Sequence, residues 1–143
     1  MTKRLLNIFI LLCAAAISLS CSSGLLPEDA AVLDGDGTIM ISGAVSSDDT
    51  PLEGIKMVFE AYGNGSTPIM TMNAYTGSDG IYSIHATGFS GPVTCSVSAI
   101  DESKIYENNK SAEINVSWQG SAYDKERNTF VVNDCNFHLK KAQ

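Results

Sequence analysis

From residue 38 onward, apolar side chains recur at every second position in short runs, and polar or glycine-rich stretches separate the runs. Ile39, Ile41 and Val45 fall on one side of residues 38–45, with Gly43 between them. Ile55, Met57, Phe59 and Ala61 repeat the pattern. Val93, Cys95, Val97 and Ala99 alternate with Thr94, Ser96 and Ser98, and Ile114, Val116 and Trp118 share one side of residues 112–118. Successive side chains of an extended strand point to opposite faces, so each run predicts a half-buried β-strand. Residues 69–76, 81–86, 129–132 and 135–139 complete the set. No stretch sustains a 3.6-residue period, which predicts little helix. Short strands parted by turn signals predict an all-β fold, an Ig-like antiparallel β-sandwich of about seven strands.

The turn chemistry sharpens this picture. Thr76-Gly77-Ser78-Asp79-Gly80 precedes the alternating Ile81-Tyr82-Ser83-Ile84. Asp-Gly tolerates positive φ, so the stretch predicts a hairpin joining residues 69–76 to the strand that begins at Ile81. Pro51 and Gly54 predict an earlier hairpin, and residues 62–68, with Gly63-Asn64-Gly65-Ser66, a loop. Residues 102–111 and 120–128 are polar and read as loops.

The first 37 residues differ from the rest. Lys3 and Arg4 precede an apolar run over residues 5–19, interrupted only by Asn7 and Ser18. That run is shorter than the ~20 residues a membrane-crossing helix needs. A basic start, a short apolar run and small residues at its end describe a secretory signal peptide over residues 1–20. The sequence Ser18-Leu19-Ser20-Cys21-Ser22-Ser23 resembles a bacterial lipobox of the looser Bacteroidetes type, which implies that Cys21 becomes the acylated first residue of the mature chain. Ser22 lacks the Asp that marks inner-membrane retention in enteric lipoproteins, so the resemblance implies the outer membrane, on its periplasmic or surface face. Residues 21–37, with Glu28, Asp29, Asp34 and Asp36, read as a flexible acidic tether, and residues 38–141 as the sandwich domain. Asp34-Gly35-Asp36-Gly37 reads as turn chemistry, because a calcium loop needs six to eight oxygen ligands. The 143-residue chain carries a net charge of −7, and losing Lys3 and Arg4 leaves it more acidic. An acidic surface excludes nucleic acid as the main partner.

Three motifs in order carry a family resemblance. Ile41-Ser42-Gly43-Ala44-Val45, then Pro51-Leu52-Glu53-Gly54-Ile55-Lys56-Met57, then Thr76-Gly77-Ser78-Asp79-Gly80-Ile81-Tyr82-Ser83-Ile84 resemble the carboxypeptidase regulatory-like domain, over residues 38–100. That resemblance implies a prealbumin-like sandwich of seven or eight strands. The lipidated head, this domain and the closing Cys135-Asn136-Phe137-His138-Leu139-Lys140 together resemble radical SAM-associated lipoproteins of Bacteroidales. Prealbumin-like hydroxyisourate hydrolases need several His, an Arg and a C-terminal Tyr-Arg-Gly-Ser, whereas this chain ends Lys140-Lys141-Ala142-Gln143. Intradiol dioxygenases need a Tyr/His iron site, and His85 and His138 both fall at positions expected to point outward.

Candidate chemistry is sparse. No Gly-x-Ser-x-Gly, His-Glu-x-x-His or phosphate-cradling loop occurs. A zinc site would draw on Cys95, Cys135, His85 and His138, but no Cys-x-x-Cys or His-x-x-x-His pair is present. Neither catalytic residues, a metal nor a cofactor are therefore expected. Cys95 and Cys135 are the thiols left after processing; they can pair in an oxidising envelope or stand as small buried hydrophobes, and the sequence leaves both open. Trp118-Gln119-Gly120-Ser121-Ala122-Tyr123 places two aromatics beside amides, so Trp118 and Tyr123 are candidate contacts for a ligand such as a glycan, with a core anchor as the competing role for Trp118. The expected function is a non-enzymatic, membrane-anchored envelope lipoprotein that binds or scaffolds a protein or glycan. The alternative is an envelope enzyme with an unrecognised polar site. A catalytic site would need titratable groups converging in a cleft.

Overall fold

The computed structural model describes residues 33–143. Cys21, the signal segment and most of the tether lie outside the described residues. Eleven strands alternate with turns in that span: β1 (Gly37–Ser47), β2 (Thr50–Pro51), β3 (Lys56–Tyr62), β4 (Met70–Tyr75), β5 (Ile81–Phe89), β6 (Val93–Ile100), β7 (Asn109–Lys110), β8 (Ile114–Val116), β9 (Tyr123–Asp124), β10 (Thr129–Val132) and β11 (Phe137–His138). Seven of these have three or more residues, and the other four are two-residue pieces. The fold is all-β, and two sheets pack as a sandwich.

The first sheet is built on β1. β5 and then β2 pair antiparallel along β1, while β10 and then β11 pair with it in parallel, with β9 beyond β10. The antiparallel-rich sandwich is as expected, and the parallel pairing of β10 and β11 with β1 is the one departure from it. The chain reaches β10 only after a traverse through the second sheet, and a long connection leaves strand direction free where a tight turn would fix it. The second sheet runs β4-β3-β6, with β7 and β8 both paired to β6.

The alternating residues meet between the sheets. Ile39, Ile41 and Val45 of β1 face Met57, Phe59 and Ala61 of β3 and Val97 of β6 across one apolar cluster, and all seven are fully buried. Burial of this kind stabilises by about 1.5–3 kcal/mol per large side chain.

The Asp79-Gly80 turn does not make a hairpin. β4 pairs with β3 and β5 pairs with β1, so residues 76–80 carry the chain from one sheet to the other. Gly80 does adopt φ +74°, and Asp79 Oδ1 accepts from the Ile81 N–H at 3.0 Å. The turn chemistry is as expected, but it fixes the local backbone and not the strand that comes next. The tight hairpin lies instead between β1 and β2, where Asp48 and Asp49 have φ of 46° and 62°. Two successive positive φ values match the twist of the flanking strands. Thr76, read as the end of a strand, is a buried stitch. Its hydroxyl donates to the Leu52 carbonyl at 2.6 Å and accepts from the Ile55 N–H at 2.9 Å.

Gly43 is required by a close approach. A Cβ there would sit 2.1 Å from the Cys135 carbonyl oxygen. The two sides of the sandwich also differ. On one side, the loop after β6 is sewn to the chain after β11: Glu107 N–H donates to Lys140 O at 2.8 Å, Ala142 N–H donates to Ile105 O at 2.9 Å, and Tyr106 bridges to Lys141. On the other side, β4 and β5 are each the outer strand of their own sheet.

Candidate binding surface

Trp118 and Tyr123, five residues apart, come together where the chain enters β1. Their rings meet edge to face, with centroids 5.8 Å apart and planes at 78°. Such pairs contribute about 0.5–1.5 kcal/mol beyond their buried area. The indole sits over Gly37, where a Cβ would come within 2.7 Å of the ring. Its N–H donates to the Gly91 carbonyl at 2.9 Å. The Tyr123 hydroxyl donates to Asn128 Oδ1 at 2.9 Å, and Asn128 Nδ2 donates to Asp36 Oδ1 at 2.6 Å. Both rings are half-buried and packed against the core cluster. The patch is thus a fixed aromatic pair framed by an amide and a carboxylate, and a core anchor as well. Asn128, at φ 48°, was not singled out from the sequence; its side chain links loop 124–128 to Asp36.

The histidines point outward, as expected, and each has a local partner. His85 bonds the Ser83 hydroxyl at 3.0 Å, and His138 bonds the Ser46 hydroxyl at 2.9 Å. Among the described residues, no three His, Cys, Asp or Glu side chains group in a way that could hold a metal ion.

Cys95 lies on β6 and is fully buried, Cys135 is half-buried between β10 and β11, and both are free thiols in the structure. Burial pushes the Cys95 thiol up to about 12, and the nearby Cys135 adds to the shift. Tyr82 donates to the Cys135 carbonyl at 2.6 Å, and burial, then hydrogen bonding and charge interaction with Cys135, hold its phenol well above its ordinary range.

Asp101 is the one buried carboxylate among the described residues. Its Oδ1 accepts from the Ser103 N–H at 3.0 Å and the Ser103 hydroxyl at 2.5 Å, and its Oδ2 from the Ile105 and Tyr106 N–H groups at 2.8 and 2.9 Å. Burial works to raise its pKa, but the Ser103 hydroxyl and the three N–H donors outweigh it and lower it. The carboxylate organises the loop that sews the sheets together. Shallow depressions mark the surface. One, of about 450 Å³, is lined by Ser42, Gly43, Ala44, Asn133, Asp134 and Asn136 together with the exposed Ile81.

No family model matches this chain, and no curated protein matches it. Among solved structures it is similar to a DUF3823 family protein from Parabacteroides merdae, with a TM-score of 0.43 and 15% identity over 75% of this chain. The match spans about half of that protein, 48% of its length.

Proposed function

We propose that this chain is a non-enzymatic envelope lipoprotein whose prealbumin-like sandwich binds or scaffolds a protein or glycan close to a membrane. In this reading Cys21 carries the lipid and the acidic tether of residues 21–37 is the leash that joins it to the body. Several acyl chains anchor firmly, at about 0.8 kcal/mol per buried methylene. The carboxypeptidase regulatory-like resemblance and the small radical SAM-associated lipoproteins belong to the same reading.

The observation that carries it is the Trp118–Tyr123 pair and its place in the fold. The two rings are locked edge to face, and Asn128 ties Tyr123 to Asp36, the residue just before β1. The pair therefore stands where the leash joins the body. Rigid aromatics lose little side-chain freedom on contact, and an amide beside them can satisfy a sugar hydroxyl or a peptide group.

Trp118 is the sole tryptophan, so its fluorescence reports on this patch alone. The full-length chain in detergent, titrated with a panel of envelope oligosaccharides and peptides, should give a saturable emission change with at least one of them, and Tyr123→Ala should weaken it. Emission unmoved by the whole panel would sink the binding reading. Acyl-label incorporation into wild type, lost in Cys21→Ser, checks the anchor, and protease access in intact cells reports the membrane face.

A further inference from the structure

The two outer strands on the unsewn side of the sandwich differ from each other. The inward row of β5 is fully covered within the core: Tyr82, Ile84, Ala86 and Phe89 are each at most 3% exposed. That of β4 is not. Met70, Met72 and Ala74 lie beside Ala61, Phe59 and Met57 of β3, yet they stay half-buried while those β3 neighbours are fully covered. β4 also holds no Asp, Glu, Lys or Arg, in a chain of net charge −7. Natural proteins ordinarily blunt an open strand edge with charge, proline or a covering segment, because its backbone donors and acceptors invite another strand.

The direction of those donors is set by the register. Thr76 N–H donates to the Ile55 carbonyl at 3.0 Å, and the strand pairing runs on from there to Met70. Alternation along an antiparallel strand then turns the N–H and C=O groups of Thr71, Asn73 and Tyr75 away from β3.

We propose that β4 is a self-pairing edge, through which two copies of this chain join antiparallel about a two-fold axis at Asn73. About that axis Asn73 faces its own counterpart, and Thr71 faces Tyr75 of the second copy. Outward donors thus meet outward acceptors at three positions on each strand. The inward rows meet as well, with Met72 beside Ala74 of the second copy, so the unfinished apolar row is completed from both sides. No charged side chain enters the pairing, and two acidic chains meet there without like charges opposed. A symmetric pairing of this kind closes on itself and leaves no further free β4 edge.

The test uses cysteine placement in the full-length chain. Residues facing each other in a hydrogen-bonded antiparallel pair have Cα atoms about 5.5 Å apart, inside the ~4.4–6.8 Å that a disulfide spans. Asn73→Cys, oxidised in intact cells, should give a dimer band several-fold above wild type, whose own cysteines set the background. Thr71→Cys should not, because its two copies would sit about 15 Å apart, four residues along at ~3.4 Å each and ~5.5 Å across. Ser83→Cys on β5 should also stay at background. In sedimentation of the detergent-extracted chain, wild type should run as a dimer. Asn73→Lys, at an exposed side chain, should weaken the dimer about tenfold or more by opposing like charges, while the melting temperature at concentrations dilute enough for monomer stays that of wild type. A background-level band for Asn73→Cys, or a monomeric wild type, overturns the proposal. A cross-link to a product of another mass overturns it in favour of a different protein's strand. A stronger band from Ser83→Cys overturns it in favour of β5.

Discussion

Replacing Asp101 by Asn should unlatch the sewn side of the sandwich while leaving the shape of the side chain almost unchanged. The carboxylate accepts four hydrogen bonds: two from Ser103, one from the Ile105 N–H and one from the Tyr106 N–H. An amide has one acceptor oxygen. Its best orientation keeps that oxygen toward Ile105 and Tyr106 and turns the NH2 group toward Ser103, whose hydroxyl can rotate to accept. The Ser103 N–H is then left facing a donor. Two bonds fall from charge-assisted to neutral strength, about 1 kcal/mol each, and one is lost at about 1–2 kcal/mol, for a total near 3–4 kcal/mol. With a urea dependence of about 1.5 kcal/mol/M for a chain of this size, the unfolding midpoint should drop by roughly 2–2.7 M at pH 7. Because the native fold lowers the pKa of this carboxyl, its contribution is present above the unfolded value, near 3.8, and is lost as pH falls through the folded value. Wild type and Asp101→Asn should therefore converge as pH falls below that folded value. Hydrogen exchange should quicken at the Glu107 and Ala142 amides, whose partners lie across the sewn seam. A variant within about 0.5 kcal/mol of wild type at pH 7, or a deficit unchanged in acid, would refute the reasoning, because either result means the carboxylate does not hold the loop.

Gly43→Ala should cost about 2 kcal/mol or more in chemical denaturation, since its Cβ would lie 2.1 Å from the Cys135 oxygen and force residues 133–136 off β1. Thr76→Val keeps the shape but strands the buried Ile55 N–H and removes the bond to Leu52, so it should destabilise by about 1–3 kcal/mol on the same measurement. Stability should fall above pH 9, because unfolded Cys95 ionises near 9.0 while the folded thiol holds its proton until about 12. The limiting slope is about 1.4 kcal/mol per pH unit for one proton, Tyr82 steepens the loss further up, and Cys95→Ala should flatten the first part of the curve in a pH series of melts.

The inward faces were legible in the sequence because a two-residue period writes burial into the chain: Ile39-Ile41, Met57-Phe59-Ala61 and Val93-Cys95-Val97-Ala99 all face the core. Pairing was not legible. Tyr82 and Ile84 would alternate in the same way whether β5 lay beside β4 or beside β1, since periodicity sets the face of a strand and not its neighbour. The early hairpin was expected from Pro51 and Gly54, but its turn residues, Asp48 and Asp49, were not picked out, because two Asp in a row carry a weaker turn signal than Asp-Gly and the positive φ at both is visible only in the fold. The parallel pairing of β1 with β10 and β11 joins residues some ninety positions apart, beyond any local pattern. The aromatic pair was half legible. Its residue types and spacing stood out, but the contact between the rings depends on Gly37 making room for the indole and on Asn128 holding Tyr123. Asp101 was not singled out, since it falls just before the polar stretch read as a loop over residues 102–111; its role needs the fold, because its donors come from the turns that wrap around it.

The two proposals constrain each other through geometry. A two-fold axis between antiparallel strands runs perpendicular to the sheet, so pairing through β4 turns the second sandwich end for end. The start of β1, with Trp118 and Tyr123 beside it, would then point in opposite directions in the two copies. Standing upright on one membrane, such a dimer would hold one leash attachment about 35 Å higher than the other, the length of an eleven-residue strand at ~3.3 Å per residue. An upright dimer would therefore present its two attachments unequally to the surface. A dimer lying with its two-fold axis along the membrane normal puts both attachments at equal height. Lateral pairing and lipid anchoring are thus compatible in one orientation above the others, with the aromatic pairs at the two far ends of a body lying flat.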